Sequence, residues 1–351
     1  MQVINYSESE KWNSIVESFS NCDIYYLNEY SRSFMNHGDG EPLLFYYEDI
    51  NCRLCYVAML NDISQMNVYR GKVLPSKYLD LTTPYGYGGP IIEGDFNEIS
   101  QKKFADQLND YCARNNIISQ FIRFHPLLNN QIFMKDLCEI REIKKTIVID
   151  TASYEKINNN MDSKNRNMIR KAKKLGVSIK HDTGELMDEF IRIYELTMNE
   201  NKASSYYYFG REYYDYLMNE MSDNIIFFYS YADGIIISAA IFFYNEKHMH
   251  YHLSGTLKEF RHMASMNLLL NEAALWASDH GIKQFHLGGG IAAIDSLFGF
   301  KKQFNKNGRL PFCIGRNIFN KKAYDELLDI RKKIDSSFDV NNSYFIQYRM
   351  E

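Results

Sequence analysis

The sequence has no long proline, serine or glutamine tract, no surplus of positive charge and no unbroken apolar stretch of bilayer length. Without low-complexity tracts, and with 45% hydrophobic and 24% charged residues, the composition is that of a folded globular chain expected to be ordered throughout. A formal charge of -4 and a pI near 6.2 argue against a DNA-binding protein or one coating an anionic membrane, since both need a basic surface. Any contact with RNA or phosphate is therefore local, and membrane association is peripheral at most. The most apolar stretch, 225–244, is interrupted by Ala232-Asp233-Gly234, a turn signal that makes it a hairpin rather than a membrane helix. The opening MQVINYSESEKW has no basic cluster and no apolar segment, so a cytoplasmic location is expected. Six cysteines, at 22, 52, 55, 112, 138 and 313, are too few for a disulfide framework and are read as reduced thiols. Cys52 and Cys55 have redox or zinc spacing, but they fall in a strand-like run with no second pair, so packing is the preferred reading.

What is present is a repeated order of elements. At 351 residues the chain has room for two domains, and the boundary is expected in 140–151. In the first half, strands at 43–48 and 53–60 flank Asp49-Ile50-Asn51, a strand enters the glycine-rich 80–90, a helix spans 96–116, and a strand follows at 119–124. In the second, helices near 163–175 and 184–201 precede a hairpin at 225–231 and 234–244. A strand at 247–255, a helix at 264–280 and a strand at 284–287 follow, the last running into Gly288-Gly289-Gly290. A helix at 321–334 and a strand-like tail at 343–349 close the chain. The fold class expected is α/β with mixed sheets in two tandem domains, 1–145 and 146–351.

Five segments occur in a telling order: TTPYGYGGP at 82–90, FIRFHPLL at 121–128, RNMIRKAKKLGV at 166–177, YHLSG at 251–255, and FHLGGG at 285–290 with DSLFGFKKQF at 295–304. Together they resemble the Fem-type, GNAT-related acyltransferases. Well-understood members of that family move amino acids from aminoacyl-tRNA onto nucleotide- or lipid-linked peptidoglycan precursors. The resemblance implies two GNAT-like (acyl-CoA N-acyltransferase-like) lobes, an acyl donor as co-substrate and no tightly bound cofactor. It places Lys301 and Lys302 beside the reacting ester, and Arg211, with Tyr207 or Tyr208 to stack, on the acceptor's phosphate. Acetyl-CoA-binding members carry a glycine-rich pyrophosphate loop where this chain has Arg261-His262-Met263-Ala264-Ser265-Met266. The altered small positions favour aminoacyl-tRNA over acetyl-CoA, with Arg261 and Asn267 as donor contacts.

Amide formation from an activated ester needs a neutral amine, a route for its proton, and positive charge near the tetrahedral oxyanion. Lys301 and Lys302 follow the glycine turn and suit the oxyanion or a donor phosphate, although two lysines on a helix are also an ordinary solvated pair. Asp295 suits either orientation of a lysine or a helix N-cap. Gly288, Gly289 and Gly290 would let a donor approach the main chain. Tyr85 and Tyr87 offer aromatic faces to a sugar or base, or simply cap the sheet. Arg123 and His125 alternate with Ile122 and Phe124 and so share one strand face, where they could hold the acceptor's diphosphate. The run 163–175 holds Arg166, Arg170 and Lys174 among its cations, with Met168, Ala172 and Leu175 as an apolar stripe; it suits a tRNA acceptor stem or a solvated face. His248, His250 and His252 share a strand face without an evident carboxylate or cysteine partner, so no metal is expected. Two further readings stay open: an acetyl-CoA-dependent N-acetyltransferase of an amino sugar for surface polysaccharide, and a ligand-binding module that kept the fold and lost the chemistry.

Overall fold

The computed structural model describes residues 1–290 and 295–350. The chain forms two units, Met1–Ile143 with Phe312–Glu351, and Lys144–Pro311. The first unit runs β1 (Gln2–Asn5), α1 (Ser9–Glu17), α2 (Asn28–His37), β2 (Glu41–Glu48), β3 (Cys52–Asp62), β4 (Leu79–Thr82), β5 (Ile91–Gly94), α3 (Glu98–Arg114) and β6 (Ile117–Arg123). A long strand, β7 (Glu139–Asp150), carries the chain into the second unit. There α4 (Tyr154–Asn160), α5 (Ser163–Lys174), β8 (Ser178–Asp182), α6 (Met187–Glu200), α7 (Arg211–Glu220), β9 (Ile225–Ala232), β10 (Ile235–Tyr244), β11 (His248–Thr256), α8 (Ser265–Asp279), β12 (Gln284–Gly289) and α9 (Ser296–Lys302) follow. Strand β13 (Arg309–Ile318) returns the chain to the first unit, which α10 (Lys321–Ile334) completes.

Both units contain the expected repeat. Strands β2, β3 and β4 are antiparallel neighbours, helix α3 crosses over, and β6 lies parallel to β4. In the second unit β9, β10 and β11 repeat this pattern, α8 crosses over, and β12 lies parallel to β11. A parallel neighbour requires such a crossover, so each helix follows from the strand order. Local signals set the rest. The β9–β10 turn places Asp233 and Gly234 at φ of 49° and 78°, the left-handed pair of a two-residue hairpin. Helix α3 begins at Asn97, whose side chain accepts from the amides of Ile99 and Ser100, and it buries Ser100, Phe104, Leu108 and Cys112 at four-residue steps. Ile99, in the first turn, is exposed. Helix α5 buries Asn165, Ile169 and Ala172, with Met168 partly buried against the same core, while Leu175, expected on the apolar stripe, is exposed. Cys52 and Cys55 are free and buried, as their packing reading requires.

The last forty residues correct the domain assignment. They were expected in the second lobe, yet they belong to the first unit. Strand β13 pairs with β6 from Ile314–Arg123 to Ile318–Ser119, while β7 pairs with β12 in the second unit. Each unit is thus finished by the strand that follows the other unit in sequence. Helix α10 buries Ala323, Tyr324 and Leu327 against Ile63, Tyr69 and Ile118. The tail beyond it is a single helical turn, Gln347–Arg349, and not the expected strand. Burial explains the difference: Tyr348 Oη donates to Asp80 Oδ2 at 2.6 Å and Arg349 Nε to the same oxygen at 2.7 Å, around a carboxylate that is 1% exposed. The strand-like tail serves instead as an ionic anchor.

Removing one partner of a buried pair leaves the other charge unsatisfied. Asp80→Ala is expected to lower stability by on the order of 3 kcal/mol, and Tyr348→Phe by about 1 kcal/mol. Urea unfolding measures both, and limited proteolysis should find the segment after α10 cut faster in Asp80→Ala.

Candidate active site

The parallel strands β11 and β12 part company early. They pair only where His248–His250 meet Gln284–His286. Beyond that, β11 continues along β10 to Thr256 and β12 along β7 to Gly289. Both strands change register as they separate: the β10–β11 ladder slips between Ile241 and Phe242, opposite the stretch holding His252, and the β12–β7 ladder slips between His286 and Gly288. A bulge bends and twists its strand, which is how two parallel strands come to splay. The resulting wedge suits an extended acyl group, held by main-chain groups as an added strand would be. Gly288, at φ 72°, turns β12 away in a conformation that a β-carbon would strain.

Lysine 301 closes this wedge. Asp295 accepts from the Phe298 amide at 2.7 Å, a cap that starts α9 and directs it back over the glycine turn. One turn later the Lys301 Nζ donates to the Gly289 carbonyl at 2.9 Å, with the Tyr251 ring of β11 centred 5.3 Å away. The side chain therefore spans the two splayed strands. Lys301 is 8% exposed. Burial chiefly, and then the charge of Lys144, bring its pKa down to about 7, with Asp295 pulling the other way. Lys302 is only partly buried, so the two lysines differ in kind. Across the wedge, the Tyr251 hydroxyl bonds that of Ser254 and lies 3.8 Å from the Met266 sulfur. Helix α8 begins beside it at Ala264, in the left-handed conformation, with no side-chain cap among the described residues. Such an end favours an anion. Lys144, whose Nζ donates to the Gly290 carbonyl at 2.7 Å, was not foreseen. It stands 146 residues earlier, and no local signal links it to the turn.

The other expected donor contacts lie around this unit. Arg166 is spent on the carbonyls of Asn158 and Met161, closing the turn before α5, while Arg170 and Lys174 are exposed on that helix. Arg261 pairs with Glu200 at 2.6 Å. Asn267 is buried and donates to Asn165 at 2.7 Å, so it joins α8 to α5 rather than presenting a face to a donor. Arg211 is held by Asp188 at 2.5 Å and Asp215 at 2.7 Å. Tyr208 bonds Asn199 at 2.8 Å, and Tyr207 is exposed beside Tyr206. His252 meets the Tyr213 hydroxyl at 2.9 Å and packs on Phe243; burial, then His250, pull its pKa down to about 3.

In the first unit the expected acceptor residues are mostly used for structure. His125, expected to help hold a diphosphate, is fully buried, with Nε2 3.3 Å from Asp23. The alternation of 122–125 placed it on the face of Arg123, but β6 ends at Arg123 and His125 lies in the turn beyond, where its carbonyl accepts from the Leu128 and Asn129 amides. Arg123 is partly exposed and lies over the Phe121 ring. Tyr85 stacks on Phe34, and Tyr87 packs edge-on against Tyr25 and Phe312. Asn130 ties the loop down by donating to the carbonyls of Gly88 and Pro90.

Residues 160–302 match the family described as an acetyltransferase (GNAT) domain. No curated protein matches the sequence. Among solved structures, FemX is similar with a TM-score of 0.66 and 13% identity, over 93% of this chain and 99% of its own. The C-terminal domain of a putative lysylphosphatidylglycerol synthetase from Agrobacterium fabrum follows at 0.57 and 15%, over 94% and 97%. A tandem GNAT protein from the clavulanic acid biosynthesis pathway aligns at 0.52 and 8%, over 91% and 98%. Residues 160–302 thus match a GNAT domain, and the fold of the chain is similar to that of FemX.

In the folded protein Lys301 loses its proton near pH 7, whereas an unfolded lysine keeps it to about 10.4. Below pH 7 the buried charge costs stability, and between these values unfolding takes up a proton, so stability rises with pH. Lys301→Met should remove a rise on the order of 2–4 kcal/mol between pH 7 and 10 and be the more stable protein at pH 7. Parallel urea titrations of both proteins at several pH values measure it.

Proposed function

We propose that the protein transfers an aminoacyl group from aminoacyl-tRNA to the amine of a nucleotide- or lipid-linked cell-envelope precursor, as in peptidoglycan cross-bridge synthesis. The observation that carries this reading is Lys301, buried across the wedge between β11 and β12 with its ammonium on the Gly289 carbonyl. The ester would lie along the splayed strands with its carbonyl near Lys301. Attack by the acceptor amine forms the C–N bond, and collapse of the tetrahedral intermediate breaks the C–O bond to the ribose. Direct attack suffices because the ester is already activated, and no covalent enzyme intermediate is required. A cation held in a water-poor site stabilises the oxyanion far better than one in solvent.

Met266 favours the tRNA donor. Its sulfur rests against Tyr251, so its side chain fills ground beside the start of α8 where a pyrophosphate would need bare main chain. The exposed cations of α5, Lys164, Arg170, Lys171 and Lys174, supply a local patch for an acceptor stem. No helix among the described residues is long and apolar enough to cross a membrane; on this reading the enzyme is cytoplasmic and meets lipid-linked substrate at the surface. The second reading is acetylation of an amino sugar from acetyl-CoA, favoured by the acetyltransferase description of the matching domain. In both cases the acceptor is an anionic nucleotide- or lipid-linked sugar or peptide, and no tightly bound cofactor takes part.

Incubation with charged tRNA or acetyl-CoA and amino-sugar nucleotides or lipid-linked precursors tests the proposal; no acyl transfer in any pairing would refute it. Lys301→Met should lower kcat/KM by about 10²–10³-fold, and Lys302→Met by less than about tenfold. Calorimetry separates the donors: Met266→Gly is expected to gain affinity for CoA, and tight CoA binding by the unaltered protein would favour acetylation.

A further inference from the structure

Two ammonium groups close on consecutive carbonyls of one glycine turn. From α9, Lys301 donates to Gly289; from β7, Lys144 donates to Gly290. The turn is close-packed where they meet it. A β-carbon at residue 289 would come within 2.9 Å of the Lys145 carbonyl, and one at residue 290 would collide with the Asp295 carboxylate. The Lys144 stem lies in ordinary contact, 3.7 Å from the β-carbon position of residue 289. The groups facing Lys301 are Lys144 from β7, Asp295 from the start of α9, the Tyr251 phenol from β11 and the Gly289 carbonyl from β12, with Lys302 next in the chain.

We propose that Lys144 is a positioning residue: it pins the Gly290 carbonyl, fixes the turn on which Lys301 rests, and presents a second positive charge beside the Lys301 nitrogen. The inference rests on the reading of Lys301 given above. Two ammonium groups in one small space disfavour double protonation, and the more deeply buried of them yields. Burial alone already lowers the pKa of Lys301, and the charge of Lys144 adds to it, toward about 7. A lysine so poised acts in both directions at neutral pH. As neutral amine, Lys301 takes the proton from the acceptor nitrogen while that nitrogen bonds to the ester carbon. As the ammonium so formed, it faces the oxyanion. When the C–O bond breaks, the same proton passes to the departing ribose oxygen, and Lys301 is neutral again. No other reactant is needed.

The test follows Lys301 directly by NMR of protein labelled at lysine Cε, its signal assigned by its loss in Lys301→Arg. In Lys144→Met the midpoint of Lys301 is expected to rise by about one pH unit or more, and the acid limb of the kcat/KM profile with it. Lys144→Arg, which keeps the charge, should stay near the unaltered protein. Lys144→Gln serves if the methionine variant does not fold. An unmoved Lys301 midpoint in a folded neutral variant overturns the proposal. A moved midpoint with an unmoved rate profile upholds the role of Lys144 and removes proton transfer from Lys301.

Discussion

A buried ammonium resting on a main-chain carbonyl organises the second unit. Lys301 has exchanged water for the Gly289 oxygen and the face of Tyr251, and these belong to two strands that have ceased to pair. An ammonium in so dry a place is costly unless its hydrogens find acceptors or its proton leaves. The glycine turn supplies the acceptor, the helix cap at Asp295 supplies the approach, and Lys144 bears on the proton. Catalytic proposals for this chain reduce to the chemistry available to one nitrogen atom.

The strand and helix order of both units was legible because it is written in short-range pattern. Alternating apolar residues, the Asp233-Gly234 turn and the Asn97 cap each act over a few residues, and the repeat emerged from reading them in sequence. The exchange of closing strands was not legible. Whether β13 pairs with β6 depends on partners nearly two hundred positions apart, and strand character alone carries no address. The tail failed for a related reason: the run 343–349 has the composition of a strand, but Tyr348 and Arg349 are committed to Asp80, which no local pattern names.

The site divides along the same line. Gly288 to Gly290, Asp295 and Lys301 lie within fourteen positions and were found as a group. Lys144 joins them only through the fold. Arg211, Arg261 and Asn267 were singled out by residue type, and the structure supplies them with Asp188, Glu200 and Asn165, partners no local pattern names. His125 exposes the limit of strand alternation, which assigns a face but not where the strand ends: β6 stops at Arg123, and His125 is buried beyond it.

The closing of each unit by a strand from beyond the other bears on how the chain is made. As the polypeptide leaves the ribosome, β6 has β4 on one side and nothing yet on the other. Ile122 and Phe124, which later pack with Cys313, wait for a segment that emerges only after the whole second unit has been translated. At about 5–20 residues per second, that interval is on the order of ten seconds or more. An open edge of this kind invites pairing with other nascent chains until β13 arrives to cover it.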